Sequence, residues 1–185
     1  MKKVKISKFF ILIIILIVLV KVFFSITKDV GIQQKIHDYL IERTNRQRAF
    51  VGAISLNNNS STNSCVYFVS EVLRENHIDT PKNIANTSQL IKFLKDRGWR
   101  KDRNLENLKP GDLVFTTDDF ENKEGVPTHV YVFMKWVKDG NYDYAYICDN
   151  QAKDYNNKIY HIRNVKVREK VKGLVKDEFS FFMKP

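Results

Sequence analysis

The stretch that most constrains this chain runs from His129 to Asn150. His129-Val130-Tyr131-Val132-Phe133-Met134-Lys135-Trp136-Val137 is rich in β-branched and aromatic residues and reads as a buried strand. Lys138-Asp139-Gly140-Asn141 follows, and Asp-Gly is among the strongest signals for a tight hairpin turn. The return strand reads from Tyr142 to about Asn150. Counted from a two-residue turn at Asp139-Gly140, this pairing sets His129 opposite Asn150. A one-residue change in loop length sets it opposite Asp149 instead.

Upstream, the pattern is helical. Residues 31 to about 48 carry Ile32, Ile36, Tyr39, Leu40 and Arg43 at helical spacing and read as a stalk or as the first helix of the domain. Asn57-Asn58-Asn59-Ser60-Ser61-Thr62-Asn63-Ser64 is a polar, low-complexity loop that taken alone reads as a linker. From Cys65 a helix is expected, with Val66, Val69 and Leu73 on one face and Asn63 or Ser64 as N-cap. A second helix is expected from about Ser88 to Arg97, capped by Thr87 or Ser88 and stopped by Gly98. Leu108-Lys109-Pro110-Gly111-Asp112 reads as a turn into a short strand, Leu113–Thr116. Ile159–Val167 and Phe179–Met183 are further strand candidates. Helices first and an antiparallel meander afterwards make an α+β order.

The N-terminus reads as a membrane attachment. Lys2, Lys3, Lys5 and Lys8 precede an apolar run from Phe9 to Val20, which Val22, Phe23, Phe24 and Ile26 extend beyond Lys21. That length approaches the roughly 20 residues a crossing helix needs, provided Lys21 extends its ammonium to the interface. Phe23-Phe24-Ser25-Ile26-Thr27-Lys28 lacks the small residues of a cleavage site, which favours an uncleaved anchor over a removed signal. The lysines place residues 1–8 in the cytoplasm, 9–26 in the membrane and the rest outside. Residues 27–56 then form the stalk or first helix, and 57–185 the main domain.

The net charge of +10 draws four positives from that N-terminal segment, and the others are interleaved with acidic residues. No basic stripe with intervening aromatics marks a nucleic-acid groove. The two cysteines, Cys65 and Cys148, stand in such different settings that a disulfide between them is not expected, and no zinc-binding spacing occurs.

Cys65 carries the chemistry in this reading. A thiol attacks only as thiolate, and a helix N-terminus lowers its pKa through unpaired N–H groups and the dipole. The backbone N–H of Cys65 is also a candidate oxyanion donor. His129, at the head of a rigid strand, suits the role of base, and Asp149 or Asn150 suits the group that orients it. His37, His77 and His161 read as surface or core histidines without a role. Tyr67 and Trp99 are candidate cleft residues.

These parts occur in a familiar order. Ser64-Cys65-Val66-Tyr67-Phe68-Val69 resembles the nucleophile helix of NlpC/P60 and CHAP peptidases. Leu108-Lys109-Pro110-Gly111-Asp112-Leu113-Val114-Phe115 resembles their Pro-Gly-Asp strand, and Thr128-His129-Val130-Tyr131-Val132-Phe133-Met134 their base strand. The resemblance spans roughly Ser60 to Gln151. It implies a papain-like α+β domain that hydrolyses amide bonds, typically in peptidoglycan, through an acyl-enzyme with no metal or cofactor. Cys65, His129 and Asp149 or Asn150 would be catalytic. Three features depart from the pattern: Tyr131 stands where a small residue is usual against the helix, no Asp precedes Cys65, and the third residue is Asp or Asn rather than His. The last leans toward CHAP.

Overall fold

The computed structural model describes residues 31–117 and 126–185. The expected cytoplasmic tail and membrane anchor (1–26) lie outside the described residues, as does the segment around Gly125. Among the described residues no helix is long and apolar enough to cross a membrane.

Four helices precede most of the sheet. Residues 31–41 form α1, Arg43–Leu56 α2, Cys65–Glu75 α3 and Thr87–Asp96 α4. The strands are β1 (Arg100–Asp102), β2 (Leu113–Thr117), β3 (Pro127–Lys138), β4 (Asn141–Cys148), β5 (Tyr160–Asn164), β6 (Glu169–Val171), β7 (Leu174–Lys176) and β8 (Phe179–Lys184). The α+β order therefore holds. Of the two readings of residues 27–56, the stalk is not what the described part shows: Ile36, Leu40, Ala49 and Ala53 are buried in the same core as α3 and the sheet.

The main sheet has the order β1-β8-β2-β3-β4-β5 and its pairs are antiparallel. β2 through β5 form the expected meander. β8, however, returns to lie between β1 and β2, a strand order that local sequence pattern does not encode. β6 and β7 form a separate hairpin. Its turn is Lys172-Gly173, with φ of 50° and 82°, and Lys-Gly is a far weaker hairpin signal than Asp-Gly.

Side chains alternate across a strand, so the sheet has two buried faces. Val130, Val132, Met134 and Cys148 meet the helices, while Tyr131, Phe133, Ala145 and Ile147 join a second cluster with Val114, Val165 and Phe182. The departure at Tyr131 is thereby explained. The helix face is met by its neighbours, and Tyr131 lies on the other side, so no small residue is required there. On the helix side α3 buries Val66, Phe68, Val69, Val72 and Leu73 almost completely. At ~1.5–3 kcal/mol per large apolar side chain, this is what seats the helix on the sheet.

The Pro-Gly-Asp turn fastens α1 to the sheet. Gly111 has φ +93°, and a Cβ there would stand 2.0 Å from the backbone oxygen of Gln33. Only glycine allows this approach. The buried Asp112 carboxylate accepts hydrogen bonds from the Lys109 backbone N–H (2.7 Å) and from the Gln33 amide. Burial outweighs these donors and pushes its pKa up to about 6.

Candidate functional site

The polar loop before α3 is an ordered element rather than a linker. Asn58, Asn59 and Asn63 all have positive φ, which Asn tolerates better than most residues. Asn57 Nδ2 donates to the carbonyls of Ser60 (2.9 Å) and Thr62 (2.7 Å). Ser64 occupies the N-cap position of α3, yet its hydroxyl donates to the Ser61 carbonyl (2.9 Å) and makes no cap bond. The first N–H groups of α3 thus have no side-chain cap, and no acidic residue lies in the first turn. In α4 the cap is Asn86, whose side chain accepts from Gln89 N, rather than Thr87 or Ser88. Thr87 instead donates to the Pro127 carbonyl (2.6 Å) and ties α4 to the head of β3.

Cys65 is the first residue of α3 and is 8 % exposed. Burial pushes its thiol up, but hydrogen bonding and charge from His129, with the backbone N–H groups of Val130 and Val66, more than reverse this and bring the pKa below the ordinary thiol value. His129 is buried at the head of β3, and its Nε2 lies 2.8 Å from Asp149 Oδ2. A carboxylate only accepts, so Nε2 carries the proton and Nδ1 is the nitrogen left to serve Cys65. Desolvation disfavours the imidazolium, yet Asp149 and Cys65 together raise the His129 pKa.

Asp149 is fully buried at the end of β4, where its Oδ1 accepts the Gln151 N–H (2.8 Å). Burial opposes its charge, but His161, His129 and Arg163 draw its pKa down to about 2. Asn150 is not at the imidazole: its Nδ2 donates to the Ser61 carbonyl (2.9 Å) and braces the loop that leads into Cys65. The choice between the two is made by strand irregularities. Lys138 pairs with Asn141 as a two-residue turn requires, but the register slips between Trp136 and Lys138 and again between Phe133 and Lys135, so that Val132 faces Cys148. The net slip is one residue. An odd slip exchanges the faces, placing Asp149 with His129 and Tyr131 and sending Cys148 into the helix-side core.

Two residues that the sequence reading left aside belong to this neighbourhood. His161 is buried, stacked on Tyr155 at 3.6 Å, with Nδ1 3.0 Å from the Lys158 carbonyl and Nε2 3.9 Å from Asp149 Oδ1. Arg163, 2 % exposed, lies on the same sheet face. A polar tail strand reads as surface, and only the pairing of β5 with β4 reveals where these side chains go. Trp99 is buried in the helix-side core and Tyr67 is partly buried against it. Both cysteines are free, and burial drives the Cys148 thiol well above its ordinary pKa.

A groove of about 310 Å³ flanks the loop that leads into Cys65, lined by Asn63, Asn150, Gln151 and the β7 residues Leu174 and Val175. A larger concavity of about 590 Å³ lies over α4 and β1 and reaches Pro127, two residues before His129. Among the described residues, no three or more His, Cys, Asp or Glu side chains are grouped to hold a metal ion. Comparison with protein-family models, with curated proteins and with solved structures returned no match.

Proposed function

We propose that the chain is a cysteine hydrolase, an amidase or endopeptidase of papain-like type acting outside the membrane on cell-wall peptide. The observation that carries this reading is the placement of the Cys65 thiol at an uncapped helix N-terminus within the influence of His129, whose Nε2 is held 2.8 Å from the buried Asp149 carboxylate. The substrate class is supported by the resemblance of the Cys65, Pro110-Gly111-Asp112 and His129 segments to NlpC/P60 and CHAP peptidases. The location is supported by the apolar run 9–26 behind its lysines.

In this reading Cys65 rests as thiolate beside a protonated His129. The thiolate adds to the amide carbonyl, and the developing oxyanion is met by the backbone N–H of Cys65 at the head of α3. His129 Nδ1 gives its proton to the departing amine, the C–N bond breaks, and a thioester remains on Cys65. Water then adds to the thioester while Nδ1 takes its proton. The C–S bond breaks, releasing the acid and restoring the ion pair. Asp149 holds the ring in the tautomer both half-reactions need. Asn150 shapes the approach by bracing Ser61.

Two measurements test the proposal. A fluorescent thiol probe should label Cys65 far faster than Cys148, and His129→Ala should abolish the difference; equal, slow labelling removes the enzymatic reading and leaves a binding domain. Zymography on purified walls, comparing the intact protein with Cys65→Ala, then separates wall hydrolysis from acyl transfer or hydrolysis of another amide.

A further inference from the structure

The hydrolase reading leaves a charge unaccounted for halfway through its cycle. While Cys65 is a thiolate, His129 is an imidazolium and Asp149 has its counter-ion. In the thioester both Cys65 and His129 are neutral, and Asp149 remains as an anion with no exposed surface. Such a carboxylate takes up a proton unless a positive charge stays within reach. A protonated Asp149 makes His129 a weak base at the step where it must accept a proton from water.

The titratable and charged groups that feel the Asp149 charge are His129 and Tyr131 from β3, His161 and Arg163 from β5, Cys148 beside it on β4 and Tyr155 from the short helical turn Ala152–Tyr155, and the Gln151 N–H donates to it. β5 pairs with β4 so that Ile147 faces His161 and Ala145 faces Arg163, which puts Asp149, His161 and Arg163 on one sheet face. His161 is nearer, but its Nδ1–H is committed to the Lys158 carbonyl, and it acts as a cation only when doubly protonated. Burial, with Arg163 and His129 nearby, holds its pKa below the ordinary imidazole value, against the pull of Asp149. Arg163 is charged throughout. Its guanidinium sits 5.3 Å from the Tyr131 ring centroid; Nη2 donates to the Asp177 carbonyl, while Nε and Nη1, both buried, have no hydrogen-bond partner among the described residues. No carboxylate is paired with it at salt-bridge distance among those residues, so its charge is not neutralised locally.

Building on the hydrolase reading, we propose that Arg163 is a positioning residue acting through Asp149: it is the standing positive charge that keeps the carboxylate ionised while His129 is neutral. Its contribution therefore falls on deacylation more than on acylation, because only during deacylation does Asp149 lack an imidazolium partner. A purely structural role would slow both steps together.

The test uses p-nitrophenyl acetate and the whole protein. The Cys65 thiolate attacks the ester carbonyl, the C–O bond breaks, and the imidazolium proton passes to the departing p-nitrophenolate, giving a burst equal to the thioester formed. Water then adds to the thioester, His129 takes its proton and acetate leaves, which sets the steady rate. In Arg163→Met the burst amplitude and rate are expected to persist at pH 6 while the steady rate falls about tenfold or more, recovering as pH rises and Asp149 ionises. Arg163→Lys, which keeps the charge, is expected to hold the steady rate within a few-fold of wild type. Burst and steady rate falling by one factor at every pH in both variants, or neither changing in Arg163→Met, overturns the inference and leaves the hydrolase reading standing. A wild type with no burst dependent on Cys65 overturns both.

Discussion

Replacing Asp149 by Asn tests the central hydrogen bond with almost no change in volume. Both carboxylate oxygens are engaged as acceptors, Oδ2 from His129 Nε2 (2.8 Å) and Oδ1 from the Gln151 N–H (2.8 Å). An amide offers one acceptor and one donor, so one of these N–H groups must face another donor in a fully buried place. A hydrogen bond to a charged group contributes ~1.5–3 kcal/mol, and each pKa unit corresponds to about 1.4 kcal/mol, so His129 should lose roughly one to two units. The sign follows from the shifts. The Cys65 pKa is lowered and the His129 pKa raised, and both shifts favour the thiolate–imidazolium pair over the neutral pair. Removing the carboxylate withdraws the support of the imidazolium, so the ion pair gives way to the neutral pair at lower pH and less thiolate is present near neutrality. The assay is the alkylation rate of Cys65 by iodoacetamide across pH 4 to 9. Alkylation near neutral pH, where the ion pair supplies the thiolate, should slow about 10- to 100-fold in Asp149→Asn, with the limb on which thiolate appears displaced to higher pH. Asn150→Ala, which loses only the brace on Ser61, should keep the wild-type profile. If Asn150→Ala moves the limb and Asp149→Asn does not, the assignment made from the strand register is wrong.

Three further outcomes follow from the packing. Gly111→Ala combines positive-φ strain of ~1–3 kcal/mol with a collision against Gln33 O, and should lower the urea midpoint by at least that amount of stability; an unchanged midpoint contradicts the close approach. Asp112 has a folded pKa raised to about 6, so its ionisation opposes folding: no penalty below about pH 4, growing to at most about 3 kcal/mol by pH 6 and constant above. The stability of Asp112→Asn relative to wild type should therefore rise by up to that amount across this interval, as read from urea unfolding at successive pH values, and a flat difference refutes it. Cys148→Ala should cost ~1–2 kcal/mol of stability through a small cavity while leaving Cys65 alkylation untouched; slower alkylation in this variant contradicts its placement in the core.

The parts of the site legible in the sequence are those set by local chemistry. A polar run ending in Ser64-Cys65 marks a helix start, a β-branched run behind His129 marks a strand, and Asp139-Gly140 marks the turn between them. Asp149 was legible only as one of two residues, because its face depends on two register slips in β3–β4, and nothing in the composition of those strands announces them. Arg163 and His161 were illegible for a different reason. Charged and titratable residues read as solvated until the pairing of β5 with β4 carries them to the sheet face that Asp149 shares. The helix cap failed usefully: Ser64 sits where a cap belongs, but Ser61 claims its hydroxyl, and the N–H groups near the sulfur stay uncapped.

The placement of β8 bears on how the chain comes to be folded at all. β1 and β2 flank a slot one strand wide that residues 179–184 fill. Until those residues are synthesised, β2 presents an open edge to any other extended chain, next to the strand that bears His129. Pairings between strands this far apart in sequence form slowly, since the loop between them must close before any contact stabilises it. Sheet completion thus waits on residues 179–184, and the rigid floor under His129 exists only once they have taken their place.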